Sequence, residues 1–499
     1  MDNAMDPVLA LVLEPAGDEP VYVRIRDHVA CLIHEGRLAA GSRLPPVRKL
    51  ARALSIDPMT AARAYRQLAE AGLVEGRGGG GTIVLERGAP LEADAGAPLP
   101  ASETVSATSL SARLFDLARA PGVISFTANY PDVAHSDVSS FRRCLADLVD
   151  DPACDRYFRY EPPSGRDFLR EAISRMLAEE GMNASPANIV VTSGGQQALD
   201  LALRTLVEPG DRVIVERPAY FGLLNVLRAA RAEIVEIDTG PRGPDVDELE
   251  ALVRRVAPTA VCLNPTFQNP TGGTIDLERR RAVLALLRRT GVALVEDDPY
   301  PGMRFRGDPA PAFKAMADPD EPIFYCRGFG KMYLPGTRLG FAVVPGPSIA
   351  RFSALKATTD LQSNGLLQGA LARWLDGTTR HALAVEATRF YAHRQRRIVE
   401  RLAAILPPGA QFDPPDGGLN LWIELPPGVA ATDMYFRAAR HGVAFAAGDA
   451  FFADKPNRRT LRLSFGRIDE DRIDEGLDRF VQVVEDLCRA AERPAAWFV

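Results

Sequence analysis

The chain has 499 residues, too many for one ordinary domain and enough to bury several cores. With 46% hydrophobic and 25% charged residues it has the balance of a soluble globular protein, and no run reaches the roughly 18 apolar residues of a membrane span. Its six cysteines (Cys31, Cys144, Cys154, Cys262, Cys326, Cys488) show no C-x-x-C spacing, which argues against a disulfide framework or a zinc site and fits a reducing, cytoplasmic setting.

Residues 1–20, MDNAMDPVLALVLEPAGDEP, read as an acidic tail without the basic start of a secretory signal. Charge is then uneven. Residues 21–87 hold eleven Lys/Arg against six Asp/Glu, a net of +5, so the rest of a chain of net −6 carries −11. A basic head on an acidic body points to a polyanion as the partner of the head. Val23, Ile25, Val29, Ala30 and Ile33 recur at helical spacing and predict an amphipathic helix over Val21–Glu35. Pro46 is placed to open a short helix ending at Leu54. Asp57 suits an N-cap and Pro58 the first turn of a third helix. In that helix Ala61, Ala64, Tyr65 and Leu68 form a buried stripe, leaving Thr60, Arg63, Arg66 and Gln67 to face outward. EGRGGGGTIVLE predicts two short strands around a glycine-rich tip. Three helices and a hairpin make a small, mainly α winged helix-turn-helix over residues 21–87.

The stretch Arg43–Gly72 carries the pattern G-x-x-L-P-x-x-R-x-L-A followed by T-x-x-x-A-Y-x-x-L-x-x-x-G, and so resembles the GntR family of bacterial regulators. That resemblance implies double-stranded DNA as partner. Arg48 and Thr60 would touch it, with Arg43, Arg63 and the wing near Gly80 as further contacts; arginine suits guanine edges and phosphates. Many members place an arginine two residues before the recognition-helix threonine, where this chain has Pro58.

Residues 88–121 turn to alanine, proline, serine and glycine, the composition of a flexible tether separating two folding units. From residue 122 to 499, short β-branched runs alternate with helical segments such as DELEALVRRV and ERRRAVLALLRRT. The runs IVVT at Ile189–Thr192, RVIVE at Arg212–Glu216, AVCLN at Ala260–Asn264 and ALVED at Ala293–Asp297 predict buried strands. This is an α/β layer with a mostly parallel sheet, whose ligands gather at the carboxyl ends of the strands. Asn269 follows one such end and Asp297 closes another. SGGQQ follows a third, at a helix start whose N–H groups suit a phosphate.

The ordered set TSGGQQAL, ERPAYFG, NPTFQNPTGG, VEDDPY, GFGKMYLPGTRLGF and LRLSF resembles the fold-type-I aminotransferases over residues 122 to about 490. The resemblance implies their α/β fold with a smaller C-terminal α+β subdomain, and pyridoxal 5′-phosphate as cofactor. It makes Lys331 the catalytic residue, forming the internal aldimine. Arg338 would bind the phosphate as a guanidinium fork, with Gly194, Gly195 and Gln196. Tyr220 would stack on the pyridine ring, Asn269 and Tyr300 would bond its oxygen O3′, and Asp297 would stay ionised against its nitrogen. Arg462 would hold a ligand carboxylate, and Tyr160, in RYEPPSG, would reach across a homodimer interface. Two family serines near the lysine are Gly328 and Gly330 here, which predicts a lost phosphate contact and a freer loop.

A GntR-type head tethered to an aminotransferase-like body resembles the MocR-type regulators. This implies a transcriptional regulator in which an amino-acid-like effector exchanges with Lys331, or the cofactor itself is the signal. The alternatives are a working aminotransferase with a regulatory head and, against the intact Lys331, Asp297, Asn269 and Arg338 set, an inert dimerisation platform.

Overall fold

A computed structural model describes residues 21–34, 38, 41–54, 56–70, 73–77, 81–84, 122–136, 138–331, 333–377 and 379–492. The predicted tail (1–20), the tether (88–121) and Gly80 lie outside the described residues. The chain divides into two compact units, Met1–Glu103 and Thr104–Val499.

The first unit has helices α1 (Val21–His34), α2 (Val47–Leu54) and α3 (Pro58–Glu70), then the antiparallel strands β1 (Val74–Arg77) and β2 (Gly81–Val84). Of the apolar positions expected to be inside, Ile25, Val29, Ile33, Ala61, Ala64, Tyr65 and Leu68 form one core with Leu50, Val74 and Val84. Pro46 stands just ahead of α2, because its carbonyl accepts the first helical bonds, from Lys49 N at 2.7 Å and Leu50 N at 3.0 Å. Asp57 Oδ1 accepts from Met59 N at 2.7 Å and so caps α3, with Pro58 in the first turn. Arg43 bridges Ile83, and the Tyr65 hydroxyl donates to Pro45 O at 2.8 Å, tying the hairpin and α3 to the turn before α2.

In the second unit β3 (Ile124–Ser125) lies apart from the main sheet. That sheet comprises β4 (Ile189–Thr192), β5 (Arg212–Arg217), β6 (Glu233–Gly240), β7 (Gly243–Pro244), β8 (Ala260–Leu263), β9 (Ala293–Asp297), β10 (Ile323–Gly328) and β11 (Gly340–Val343). Among the described residues its order is β4-β11-β10-β9-β8-β5-β6-β7. Pairs are parallel from β10 across to β6; β11 is antiparallel to both β10 and β4. Hence β4, β5, β8, β9 and β10 all end on one edge, and β11 begins there. Strands β4, β5, β8 and β9 carry short apolar runs whose side chains enter cores shared with helices on the two faces.

A smaller antiparallel sheet, β12 (Gln411–Phe412), β13 (Asn420–Glu424), β15 (Ala446–Ala447) and β16 (Thr460–Ser464), pairs in the order β12-β13-β16-β15; β14 (Val443–Ala444) pairs in parallel with β3. Its core includes Leu421, Ile423, Leu461 and Leu463, with Ile398 and Leu402 of helix Thr379–Ile405 and Phe480 and Val484 of helix Ile473–Glu492. No described helix is long and apolar enough to cross a membrane.

Candidate cofactor and effector site

The shared strand edge gathers the site. Gly194, Gly195 and Gln196 follow β4, Tyr220 follows β5, Asn269 follows β8, Asp297 ends β9, Lys331 follows β10 and Arg338 precedes β11. All of these, with Tyr300, line one cavity of about 540 Å³. A cavity of about 610 Å³ near Arg242, Arg304 and Trp422 holds none of them. Arg462, from the middle of β16, joins through Asn269: its Nη1 donates to Asn269 Oδ1 at 2.8 Å and its Nη2 to Thr127 O at 3.0 Å. Tyr160 lies elsewhere and is 86% exposed.

Local chemistry explains each position. Strand β8 stops at Leu263, one residue short of expectation, because Asn264 turns its side chain to other work. Its Oδ1 accepts from Asn269 N and its Nδ2 donates to Asp297 O, both at 2.7 Å. Asn264 N in turn donates to Glu216 Oε2 at 2.7 Å; burial raises that carboxyl to about 8. Helix Gly195–Leu206 starts after Gly194 with no side-chain cap, leaving its first N–H groups for a ligand. Gly194 has φ +100°, and a Cβ there would lie 3.0 Å from Arg338 Nη2, so only glycine lets the guanidinium approach the turn. The turn is braced from behind by Asp360, which accepts from Ser193 Oγ at 2.9 Å and Gln197 Nε2 at 3.0 Å.

Lys331 Nζ donates to the Asn129 carbonyl. Burial, then the Arg462 cation, lowers its pKa to about 7 against the pull of Asp297. Burial, then Asp298, raises Asp297 to about 7, with Lys331 opposing. With no cation beside it the carboxyl is thus held above the usual carboxylate range, and a protonated ring nitrogen facing it would favour its ionised form. The Tyr220 phenol is pushed up to about 12 by burial and Asp297. Arg462, brought down to about 10 by burial, stays protonated at neutral pH.

These residues fit pyridoxal phosphate. An amine, a carboxyl, a guanidinium beside an uncapped helix start and a half-buried tyrosine surround one cavity. Arg462 Nε, Asn129 Nδ2 and Asn420 Nδ2 are buried without partners among the described residues. Asn129, Thr127, Asn264, Glu216, Asp360 and Asn420 were missed by sequence reasoning. Only the buried polar residues at strand ends, Glu216 and Asn264, left a sequence signal, a polar group closing an apolar run.

The two glycines beside Lys331 differ from each other. A Cβ at Gly328 would lie 2.9 Å from Gly195 N, so this glycine packs β10 tightly against the phosphate turn and does not loosen it. At Gly330 the nearest atoms, of Pro335, are 3.5 Å away and Arg338 Nη1 is 4.0 Å away. Gly328→Ser will therefore weaken cofactor binding by forcing that turn apart. Gly330→Ser will be tolerated and will tighten binding by about 1 kcal/mol through a new hydroxyl. Spectroscopic titration of both variants with the cofactor checks the contrast; equal losses would refute it.

In the first unit Arg43 and Arg48 are exposed and Thr60, in the first turn of α3, is half-buried. Arg63, also exposed, lays its guanidinium over the Tyr22 ring, 4.0 Å from the centroid.

Fold and site together define a pyridoxal-phosphate-dependent body joined to a winged helix-turn-helix. The chain matches the family described as aminotransferase class I and II over residues 121–480, and the bacterial regulatory proteins of the gntR family over residues 21–84. It is 31% identical over 499 residues to the HTH-type transcriptional regulator TauR of Rhodobacter capsulatus, covering 96% of this chain and 99% of that one. It is 29% identical over 475 residues to the probable rhizopine catabolism regulatory protein MocR of Rhizobium meliloti, covering 94% of each. The kynurenine aminotransferase of Pyrococcus horikoshii, solved with PMP, is similar with a TM-score of 0.72 at 31% identity, over 78% of this chain and 95% of that one. The chain belongs to the MocR-type gntR-family regulators, DNA-binding transcriptional regulators with a pyridoxal-phosphate-dependent aminotransferase class I and II body.

Proposed function

We propose that the body senses an amino compound carrying an acidic group and that this ligand controls how the head engages DNA. The observation that carries the reading is the placing of Lys331 Nζ at the cavity and of the Arg462 guanidinium beside it, behind Asn269. When bound, pyridoxal phosphate supplies an electrophilic carbon for primary amines and an electron-withdrawing ring. Lys331, with a pKa near 7, has a large unprotonated fraction at neutral pH and can hold that carbon or yield it to another amine. Arg338 and the N–H groups at Gly195 and Gln196 would hold the phosphate. Tyr220 would stack on the ring, Asn269 and Tyr300 would bond its oxygen, and Asp297 would pair with its nitrogen. Arg462 takes the ligand's acid group.

Thr127 O and Asn129 O, on the first described segment after the tether, are held by Arg462 and Lys331, the two groups a ligand would engage. Ligand capture competes with that grip, and it can shift the equilibrium only by its differential affinity for the two states. We read the protein as a cytoplasmic homodimer. Tyr160 and Phe158, 86% and 69% exposed, suit a contact with the neighbouring copy, where Tyr160 would reach the phosphate.

The test is to titrate cofactor-loaded protein with amino acids while following absorbance and DNA affinity together. A full DNA response to the cofactor alone, unaltered by any amine, would make the cofactor the signal. A second reading, a working aminotransferase, is favoured by the pKa of Lys331, which suits proton transfer near neutrality. Product beyond one equivalent per site would establish it.

For the head, Arg48→Ala will weaken specific DNA binding by roughly 1–3 kcal/mol if Arg48 reads a guanine edge. An equal loss on random DNA, with the log-log salt slope reduced by about 1, would make it a phosphate contact.

A further inference from the structure

Asn129 lies in FTANYPD, a stretch that carries none of the expected site residues, yet it is 7% exposed and touches two of them. Its carbonyl accepts from Lys331 Nζ and its Oδ1 accepts from the Tyr300 hydroxyl. Its Nδ2 has no partner among the described residues. Neither has the Nδ2 of Asn420, the second amide that bears on the Tyr300 phenol. Two buried amide N–H₂ groups beside one hydroxyl are a poor match for a hydroxyl that spends its only proton on one of those amides. A hydroxyl has one proton to give and can accept two bonds. Turning the Asn129 amide by half a revolution exchanges Nδ2 and Oδ1 with almost no change of shape. Nδ2 can then donate to Tyr300 Oη, and the Tyr300 proton is released toward the cavity that Tyr300 lines.

We propose that Asn129 is a positioning residue for the cofactor: its Nδ2, together with that of Asn420, donates to Tyr300 Oη and so aims the Tyr300 proton at the ring oxygen O3′. The proposal rests on the reading that pyridoxal phosphate fills this cavity and that Tyr300 meets O3′. A donor at O3′ stabilises negative charge there. It therefore lowers the pH at which the Lys331-bound cofactor loses its proton and changes colour. Arg462 and Asp297 also act on Tyr300, and Arg462, Asp297 and Arg338 on Lys331; all are kept when residue 129 is changed.

The experiment is a pH titration of the visible absorbance of cofactor-loaded protein. Asn129→Ala should raise the midpoint by about one pH unit, because Tyr300 becomes a weaker donor. Tyr300→Phe should also raise it, and adding Asn129→Ala to Tyr300→Phe should then change little. A midpoint lowered by Asn129→Ala would mean that the amide withholds the Tyr300 proton, and it overturns the proposal, as does an unmoved midpoint. A shift equally large in the Tyr300→Phe background overturns it too, since Asn129 would then act by another route. If Tyr300→Phe alone moves nothing, the Tyr300 assignment falls and takes the proposal with it. A wild-type protein whose bound cofactor absorbs but shows no titration overturns the proposal, and one that gains no visible absorbance from added pyridoxal phosphate refutes the cofactor reading itself. Asn129→Leu, uncharged and with the same branched four-atom side-chain skeleton, carries the same test should the alanine variant fail to fold.

Discussion

Lys331→Ala will leave the purified protein colourless after dialysis, while the wild type stays yellow and keeps its cofactor. The expected effect is large because, among the described residues, Lys331 is the one amine lining the cavity, and without it only non-covalent contacts remain, at Arg338, the Gly194–Gln196 turn, Tyr220, Asn269, Asp297 and Tyr300. The measurement is the visible spectrum before and after dialysis. An unchanged spectrum in the alanine variant would place the anchor elsewhere. The same substitution changes the pH dependence of the cofactor-free protein. With Lys331 at about 7 in the fold against an ordinary 10.5, the unfolded chain binds more protons between those values. Stability therefore rises with pH across that window, and Lys331→Ala should flatten the rise. Asp297, raised to about 7 from 3.8, has the opposite sign: the fold holds its proton, so stability falls as pH climbs from about 4 to 7. Thermal unfolding followed against pH distinguishes the two.

The parts of this site that could be read in the sequence are those attached to local pattern. Asp297 closes a β-branched run, the Gly194–Gln196 turn opens a helix, and Lys331 and Arg338 bracket a glycine- and proline-rich turn. Each is visible within a dozen residues. The parts that could not be read depend on contacts across the chain. Asn129 meets Lys331 over 202 positions and Tyr300 over 171, and Thr127 meets Arg462 over 335. No local period marks a residue whose role is to accept a bond from so far away. Gly328 shows the same limit. In sequence it is a missing serine; in the fold it is the place where β10 passes so close to Gly195 N that no side chain fits. The sheet was legible as parallel because its strands are buried runs, whereas the reversed β11 between β10 and β4 carries no distinguishing composition.

Arg462→Ala will abolish the preference for ligands with an acid group while leaving the resting cofactor spectrum in place. The guanidinium is 4% exposed, lies 5.1 Å from the centroid of the Phe451 ring, and has neutral partners in Asn269 Oδ1 and Thr127 O. Among the described residues its hydrogen-bond partners are these neutral oxygens, and its Nε is unsatisfied. A buried cation in that condition is held at a disadvantage, which a ligand carboxylate removes by supplying both charge and acceptors. Truncating one member of such a buried pair typically costs about 3 kcal/mol, so the affinity of an amino acid should fall roughly 100-fold. A matched amine without the acid group never gains that contact and should bind the variant and the wild type alike. Both titrations are read from the cofactor absorbance, with DNA affinity followed in parallel. Equal losses for the two ligands would mean that Arg462 shapes the cavity without recognising the acid. A retained preference would place the acid site on another residue, and the sensing of an acidic amino compound would then have to be rebuilt from there.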